Sequence, residues 1–506
     1  MKFLILLTLL SFSQCYKILV VFPLPSKSHY FLGNAIGRGL ANAGHDVTVV
    51  AAFEDKSAPK NYRSVVLDDL GEPFAGGQKF NPAEMGDKHP WFMMLFAFNG
   101  LGKMMSDKII TDKNFQKILN ERFDVLIIEQ FRTDALKVLG CHFDAPVILV
   151  SSIGVHTWIV ADTGSPIPPS YVADMSLSYS NTMNLWERMF NSLSVFVYYL
   201  NSHFIFYPGQ KEIAQKHFPK CANNELIINN VSLYFLNSHE STNEPVPSVP
   251  NMINIGGYHV SPPKELPVDL KAFLDNAKEG VIYFSMGSAI QFSTLNPETR
   301  KAIIRALRDI KLKVLWKYDG DTLPDKPENV RIGKWFPQAD ILAHPNVKLF
   351  ITHGGLLSTL ETIYHGVPIL ALPVFGDQRM NAAKAEVLGY GLKIDFFELT
   401  EKSFRDALDK LLNDPKYMNN AKRRSVLFHD RPMKPIDTMV YWTEYVARHR
   451  GAPHLRVAGL DLPWYKYFLV DVIVIFVLLP ITFLYLICKR LCCTRKDKRK
   501  NKRKND

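Results

Sequence analysis

Between Lys334 and Asn381 the chain strings together residues able to hold an anionic ligand. An apolar run ends at Thr352, and His353-Gly354-Gly355 follows, placed to open a helix. Glycines let backbone N–H groups approach a ligand closely. A helix N-terminus carries partial positive charge and suits an anion such as a diphosphate. A lone Gly-Gly pair would read as a tight turn, but this one stands among further strand-to-helix junctions that carry polar groups. Trp335 and Gln338 follow the short Val330–Gly333 segment, Glu361 lies about eight residues into a helix begun at His353, and Asp377-Gln378 follow Pro373. Loops held by a rigid sheet are where binding residues concentrate.

This stretch resembles the signature of the UDP-glycosyltransferase family, the membrane-bound glucuronosyl- and glucosyltransferases of animals, and the resemblance covers the whole chain. It implies a role for each matching position. Trp335 stacks on uracil and Gln338 pairs with the nucleoside. His353 and the N–H groups of Gly354 and Gly355 hold the diphosphate, with a hydroxyl from Ser288. Glu361 binds the ribose hydroxyls, and Asp377 and Gln378 the sugar hydroxyls. One departure stands out. Many vertebrate members follow the Gly-Gly pair with a small residue, Asn and Gly; here Leu356, Leu357 and Ser358 stand there. The Asn contact to phosphate is absent and Ser358 is its candidate replacement. The Leu-Leu-Ser form and the run Gly376 to Asn381 look like the insect branch.

The elements that must position these groups read as two α/β series. Tyr16–Phe22 is a buried-strand run, Pro23–Ser28 a loop and His29–Ala43 a helix closed by Gly44. Strands follow at Val47–Ala52, Asp124–Glu129 and Val147–Ser151. This βαβ alternation predicts a parallel sheet covered by helices. Residues 160–240 are aromatic-rich (Trp186, Phe190, Phe196, Tyr198, Tyr199, Phe204, Phe206) and read equally as core or as the wall of an apolar pocket. Asn243–Pro267 is Pro-rich, the expected inter-domain linker. The second series has strands at Val281–Phe284, Val314–Lys317, Val347–Thr352 and Ile369–Pro373, and a helix at Pro297–Asp309. The expected fold class is therefore α/β with two Rossmann-like domains facing a cleft, residues 16–242 for the acceptor and 268–455 for the UDP-sugar. Ligands bind at the C-terminal strand ends of such sheets.

Glycosyl transfer to a hydroxyl needs a base, charge stabilisation for the departing UDP, and alignment. His29 is the candidate base: it sits at the loop-to-helix junction after the first strand, where the family places its catalytic His. An unperturbed pKa of about 6.5 suits proton abstraction near neutrality. The family sets an acid against this His, by the logic of a catalytic triad. Glu129 has the strand-end position; Asp134 has the residue type; Asp124, at the strand start, is a weaker third choice. N–H donors at Gly354–Ser358 would stabilise charge on the diphosphate. No carboxylate pair of metal-binding type stands out, and the resemblance implies a metal-independent reaction with no cofactor beyond the UDP-sugar donor.

The 506 residues suffice for two or three domain cores. A net charge of +11 is misleading: residues 489–506 hold ten Lys and Arg against two Asp, so the folded part is near neutral and nothing argues for nucleic acid. Met1–Cys15 reads as a signal peptide, and Asn230-Val-Ser as a glycosylation sequon. Cys141 and Cys221 are the lumenal cysteines; one bridge and two free thiols both fit. Tyr467–Cys488 is an apolar run worth about 33 Å of helix, preceded by Trp464 and Tyr465 and followed by the basic tail, which marks a cytosolic side. The last five residues carry Lys504 and Lys502, third and fifth from the end, as in lysine-based retrieval signals of the endoplasmic reticulum. The expected protein is a single-pass type I reticulum membrane enzyme with lumenal catalytic domains. Its predicted reaction is inverting transfer of a hexose, glucose in the first reading and glucuronate in the second, to a small lipophilic acceptor. A silent binding protein on the same scaffold is the alternative of another class. Homo-oligomerisation is left open.

Overall fold

The computed structural model describes residues 15–68, 91–222, 231–288, 292 and 297–505. The expected signal peptide, apart from Cys15, and Asn230 lie outside the described residues. Two compact units divide the chain at Leu455/Arg456.

The first unit holds two parallel sheets. One has strands β1 (Lys17–Phe22), β2 (Asp46–Ala51), β3 (Tyr62–Val66), β4 (Val125–Glu129), β5 (Val147–Ser151), β6 (Val231–Leu236) and β7 (Met252–Asn254), in the order β3-β2-β1-β4-β5-β6-β7. The other has β8 (Val281–Ser285), β9 (Lys313–Lys317), β10 (Val330–Gly333), β11 (Val347–Thr352), β12 (Ile369–Ala371) and β13 (Gly391–Lys393), in the order β10-β9-β8-β11-β12-β13. Strands covered on both faces need apolar side chains of both parities, hence their continuous runs of Val, Ile and Leu. In β1, Leu19 and Val21 enter one core while Ile18, Val20 and Phe22 enter the other. In each sheet the strand order reverses between two neighbours, β1 and β4 in the first and β8 and β11 in the second. The crevice at such a reversal, at the strand C-termini, is where open α/β sheets bind ligands.

Helix α1 (Lys27–Asn42) packs on β1 so tightly that a Cβ on Gly33 would come within 2.5 Å of Phe22. Helix α2 (Leu185–Asn201) answers the ambiguity of the aromatic-rich region. Tyr198 and, just beyond the helix, Phe206 are buried, whereas Trp186, Phe190, Phe196, Tyr199 and Phe204 are exposed. Those five are not core. Cys141 and Cys221 are joined in a disulfide.

In the second lobe, helix α3 (Leu356–His365) starts three residues later than the sequence suggests, because Gly354 has φ +82° and cannot belong to a helix. Glu361 is thus in the second turn. Helix α4 (Gln378–Val387) follows the Gly376-Asp377 turn. Two segments cross the expected domain limits. Met252–Asn254, inside the Pro-rich stretch, pairs with β6 as an edge strand, a place where prolines nearby are tolerated. Helix α5 (Pro435–Arg448) returns to the first lobe, where Met439 and Val446 join the core under β1.

The second unit, Arg456–Asp506, contains one helical stretch, Val470–Cys492, long and apolar enough to cross a membrane, with none of it buried. It lies a few residues beyond the expected Tyr467–Cys488, because Leu469 turns to φ +54° and interrupts the helix after Tyr467.

Candidate active site

Sheet parity explains how the first lobe assembles a dyad. Val125 and Ile127 of β4 face the α1 side of the sheet, and Glu129, next in that alternation, faces the same way. His29 is the third residue of α1, at the end of the neighbouring strand's loop. The two meet: His29 Nδ1 is hydrogen-bonded to Glu129 Oε1, with Glu129 fully buried and His29 largely so. Burial alone would lower the His29 pKa. The Glu129 carboxylate, through its charge and its hydrogen bond, together with the charge of Asp377, outweighs this and holds it above the ordinary value. A His oriented through Nδ1 by a buried carboxylate presents Nε2 as a base. Phe131 packs edge-on against the His29 ring at 5.1 Å, and Phe131, Phe98 and Trp158 form a mutually edge-packed aromatic group. Apolar walls beside a base suit a lipophilic acceptor.

Asp134, the other candidate acid, is not at His29. It starts a short 3₁₀ turn and its carboxylate lies 2.6 Å from Lys137 Nζ, which also binds Asp162 at 2.9 Å. Asp124, the third choice, accepts from the Lys17 backbone N–H at 2.7 Å at the opposite strand end.

In the second lobe the expected residues gather at the β8/β11 reversal. His353 leaves β11 with its ring held between Gly287 and Gly355: a Cβ on either would come within 2.7 Å of it. Burial, then the charge of Lys317, pushes its pKa down to about 4, so it is neutral at pH 7 and able to hydrogen-bond. Gly354 and Gly355 lead into α3, whose first turn holds Ser358. Ser288 is exposed in the turn after β8. Gln338 opens a short helix and donates Nε2 to Ser358 Oγ at 3.1 Å and to Glu361 Oε2 at 2.6 Å. Burial raises the Glu361 pKa to about 7, against the Gln338 hydrogen bond and with the charge of Asp340. Trp335 is 53% exposed, as a stacking platform requires.

Asp377 caps α4 and receives Asn381 Nδ2 at 2.8 Å; the same amide group donates to Gly354 O at 3.0 Å. Burial raises the Asp377 pKa, opposed mainly by hydrogen bonds and by His29. Asp377 in turn raises the His29 pKa, so the base of one lobe and a carboxylate of the other lie within electrostatic reach. Gln378 is buried and differs from expectation in one respect. Its Oε1 accepts from the N–H groups of Val374 and Phe375, at 2.9 and 3.2 Å, so its carbonyl end holds the loop and only its amide nitrogen is free of that duty.

Lys317 was missed from the sequence. It ends β9, donates to Gly287 O at 2.7 Å and lies 4.8 Å from the Trp335 ring centroid, between the stacking platform and the glycine turn. Its signal was the strand-end position, the same rule that found Glu129. Asn381, which ties Asp377 to the glycine turn, had no such signal.

Comparison with known proteins agrees with this geometry. The family model described as "UDP-glucoronosyl and UDP-glucosyl transferase" matches residues 17–504. The chain is 36% identical to UDP-glycosyltransferase UGT5 of Dactylopius coccus, covering 96% of this chain and 93% of that one. It is 35% identical to UDP-glucosyltransferase 2 of the same insect, over 96% and 94%, and 30% identical to human UDP-glucuronosyltransferase 2B7, over 99% and 98%. Among solved structures, an anthocyanidin 3-O-glucosyltransferase in complex with UDP superimposes with TM-score 0.57 at 16% identity, over 85% of this chain and 99% of that one. The glycosyltransferase VinC in complex with DTDP does so with TM-score 0.57 over 86% and 100%. At that identity the likeness is one of fold, the two-domain GT-B arrangement. With its sequence matched from β1 to the tail, this chain belongs to the UDP-glucuronosyl and UDP-glucosyl transferases, hexosyltransferases that use UDP-sugars.

Proposed function

We propose that this enzyme transfers glucose from UDP-glucose, with inversion, to a hydroxyl or carboxyl of a small lipophilic acceptor. The observation that carries the reading is the His29–Glu129 pair set across from Asp377. His29 takes the acceptor proton through Nε2 while Glu129 steadies the imidazolium. The N–H groups of Gly355 and the first turn of α3, with neutral His353 and Lys317, receive the charge growing on the departing diphosphate, while the Gly354 N–H is given to Thr352 Oγ1 at 3.3 Å. In-line attack from the His29 side gives inversion. No step calls for a metal or cofactor. Retention of a base, its acid and the donor residues together weighs against a silent binding protein.

The sugar is read as glucose from the likeness to the insect UDP-glucosyltransferase. UDP-glucuronate is the second reading, favoured by the likeness to the human UDP-glucuronosyltransferases. Turnover of a phenol library by microsomes holding the full chain, with UDP-glucose, UDP-glucuronate and other UDP-sugars, tests both. The expected result is the highest kcat/KM with UDP-glucose; faster use of UDP-glucuronate reverses the donor assignment. The apolar Val470–Cys492 helix and the basic residues after it support a type I membrane enzyme of the endoplasmic reticulum with its catalytic lobes lumenal.

Glu361 gives a pH signature. With a pKa of about 7, its ionised form, the better acceptor for ribose hydroxyls, gains population as pH rises through 7. Uridine, which lacks the titrating phosphate of UDP, should therefore bind more tightly at pH 8 than at pH 6, by several-fold. Glu361→Gln should bind it weakly and without that pH dependence. Because the folded pKa is the higher one, folding stability from this group is present at low pH and is lost as pH rises through 7. Tighter binding above pH 7 thus coincides with a slightly less stable free enzyme. Nuclear magnetic resonance titration with uridine measures the effect.

A further inference from the structure

The first turn of α1 has two faces. His29 points to Glu129. Lys27 and Phe31, one helical turn apart and so on one side, lie against Trp335 of the opposite lobe: Lys27 Nζ is 5.1 Å from the Trp335 ring centroid, and the Phe31 ring is 6.3 Å away. Lys317 Nζ comes within 4.8 Å of the same centroid from its own lobe. Two ammonium groups, one from each lobe, therefore converge on one indole. The Lys317 ammonium donates to a backbone carbonyl, Gly287 O, and both ammonium groups lie over the indole. Burial and then the nearby charge of Lys27 lower the Lys317 pKa, against the weaker opposite pull of the Asp319 carboxylate, the mark of like charges sharing a space. Lys317 also lowers the pKa of His353 and donates to Gly287 O in the turn after β8; the His353 ring lies between Gly287 and Gly355, so this space adjoins the N-terminus of α3. A cation pair beside a helix N-terminus, offset only in part by the charge of Asp319, is matched to a mobile anion. Lys27 is exposed and its four-carbon stem is flexible, so its ammonium can follow such a charge.

We propose that Lys27 is a donor-binding residue contributed by the acceptor lobe: with Lys317 it supplies positive charge to the diphosphate of a nucleoside diphosphate held on Trp335 and α3. The inference rests on reading the second lobe as the UDP-sugar site. It makes the same helical turn carry the base on one face and a contact to the donor on the other, so donor binding and base placement share one element. Sequence alone gives no sign of this, since Lys27 reads as a residue of the Pro23–Ser28 loop until the structure extends the helix to Lys27 and sets the lobes together.

The test compares UDP with uridine, by isothermal titration of the full-length protein in detergent. Lys27→Met removes the charge and keeps the length of the chain. The expected result is a roughly tenfold rise in the Kd for UDP with the uridine affinity unchanged, and near wild-type UDP affinity in Lys27→Arg. Unchanged UDP affinity in Lys27→Met overturns the proposal. So does an equal loss for UDP and uridine, which would place Lys27 in support of the indole rather than on the diphosphate. Both outcomes leave the UDP-sugar reading intact, because wild-type binding of UDP is measured alongside. A wild type that binds neither ligand overturns that reading and this inference with it.

Discussion

His29→Ala should lower kcat by about 10²–10⁴-fold while the affinity for UDP stays at the wild-type value. The size follows from the role: removing a positioned general base forfeits proton transfer in the transition state, equivalent to roughly 3–5 kcal/mol of barrier. The unchanged nucleotide affinity follows from location, since His29 belongs to the lobe opposite Trp335, Glu361 and α3. The pH profile adds a sign. Glu129 holds the His29 pKa above its ordinary value despite burial, so the neutral base forms only as pH rises past that raised pKa. In the wild type, kcat/KM should climb with pH along a limb whose midpoint lies above 6.5. In His29→Ala that limb should vanish from the residual activity. Wild-type rates in the variant would remove His29 from the chemistry, and a limb that persists would assign the titration to another group.

Much of this site was legible because it rests on one rule, that strand C-termini at a reversal of strand order carry the ligand groups. Glu129 ends β4 and His353 follows β11, parallel strands whose apolar runs are plain in the sequence, and the same rule applied to β9 would have found the missed Lys317. Trp335 and Gln338 likewise follow β10. What was hidden depended on tertiary placement. The start of α3 moved because Gly354 has φ +82°, and a glycine announces freedom without saying how it is used. Gln378 was half consumed by its own loop. The exposed aromatics of α2 look, in composition, the same as buried ones. Asp134 was a rival to Glu129 only while Lys137 and Asp162 could not be seen around it.

That last pair separates cleanly by experiment. Glu129→Gln should lower kcat by about 10²–10⁴-fold with little change in stability. The replacement has the same shape and can still hydrogen-bond, but it brings no charge and can leave His29 in the wrong tautomer. Without the carboxylate, burial is the stronger influence on His29, so the acidic limb of kcat/KM should also move to lower pH. Asp134→Asn should do the reverse. Burial works against the Lys137 charge, and the carboxylates of Asp134 and Asp162 outweigh it and raise its pKa. Breaking a buried ion pair outright costs about 3–5 kcal/mol. Here Asp162 remains 2.9 Å from Lys137 Nζ, so a loss of roughly 2–4 kcal/mol is expected for Asp134→Asn. Its kcat per folded molecule and its pH limb should match the wild type, because Asp134 touches neither His29 nor the donor lobe. Denaturant titration of each variant, set beside its pH–rate profile, reads both quantities. A stable, fast Glu129→Gln enzyme with an inactive Asp134→Asn counterpart would transfer the orienting role to Asp134 and require the turn at 130–134 to rearrange in the working enzyme.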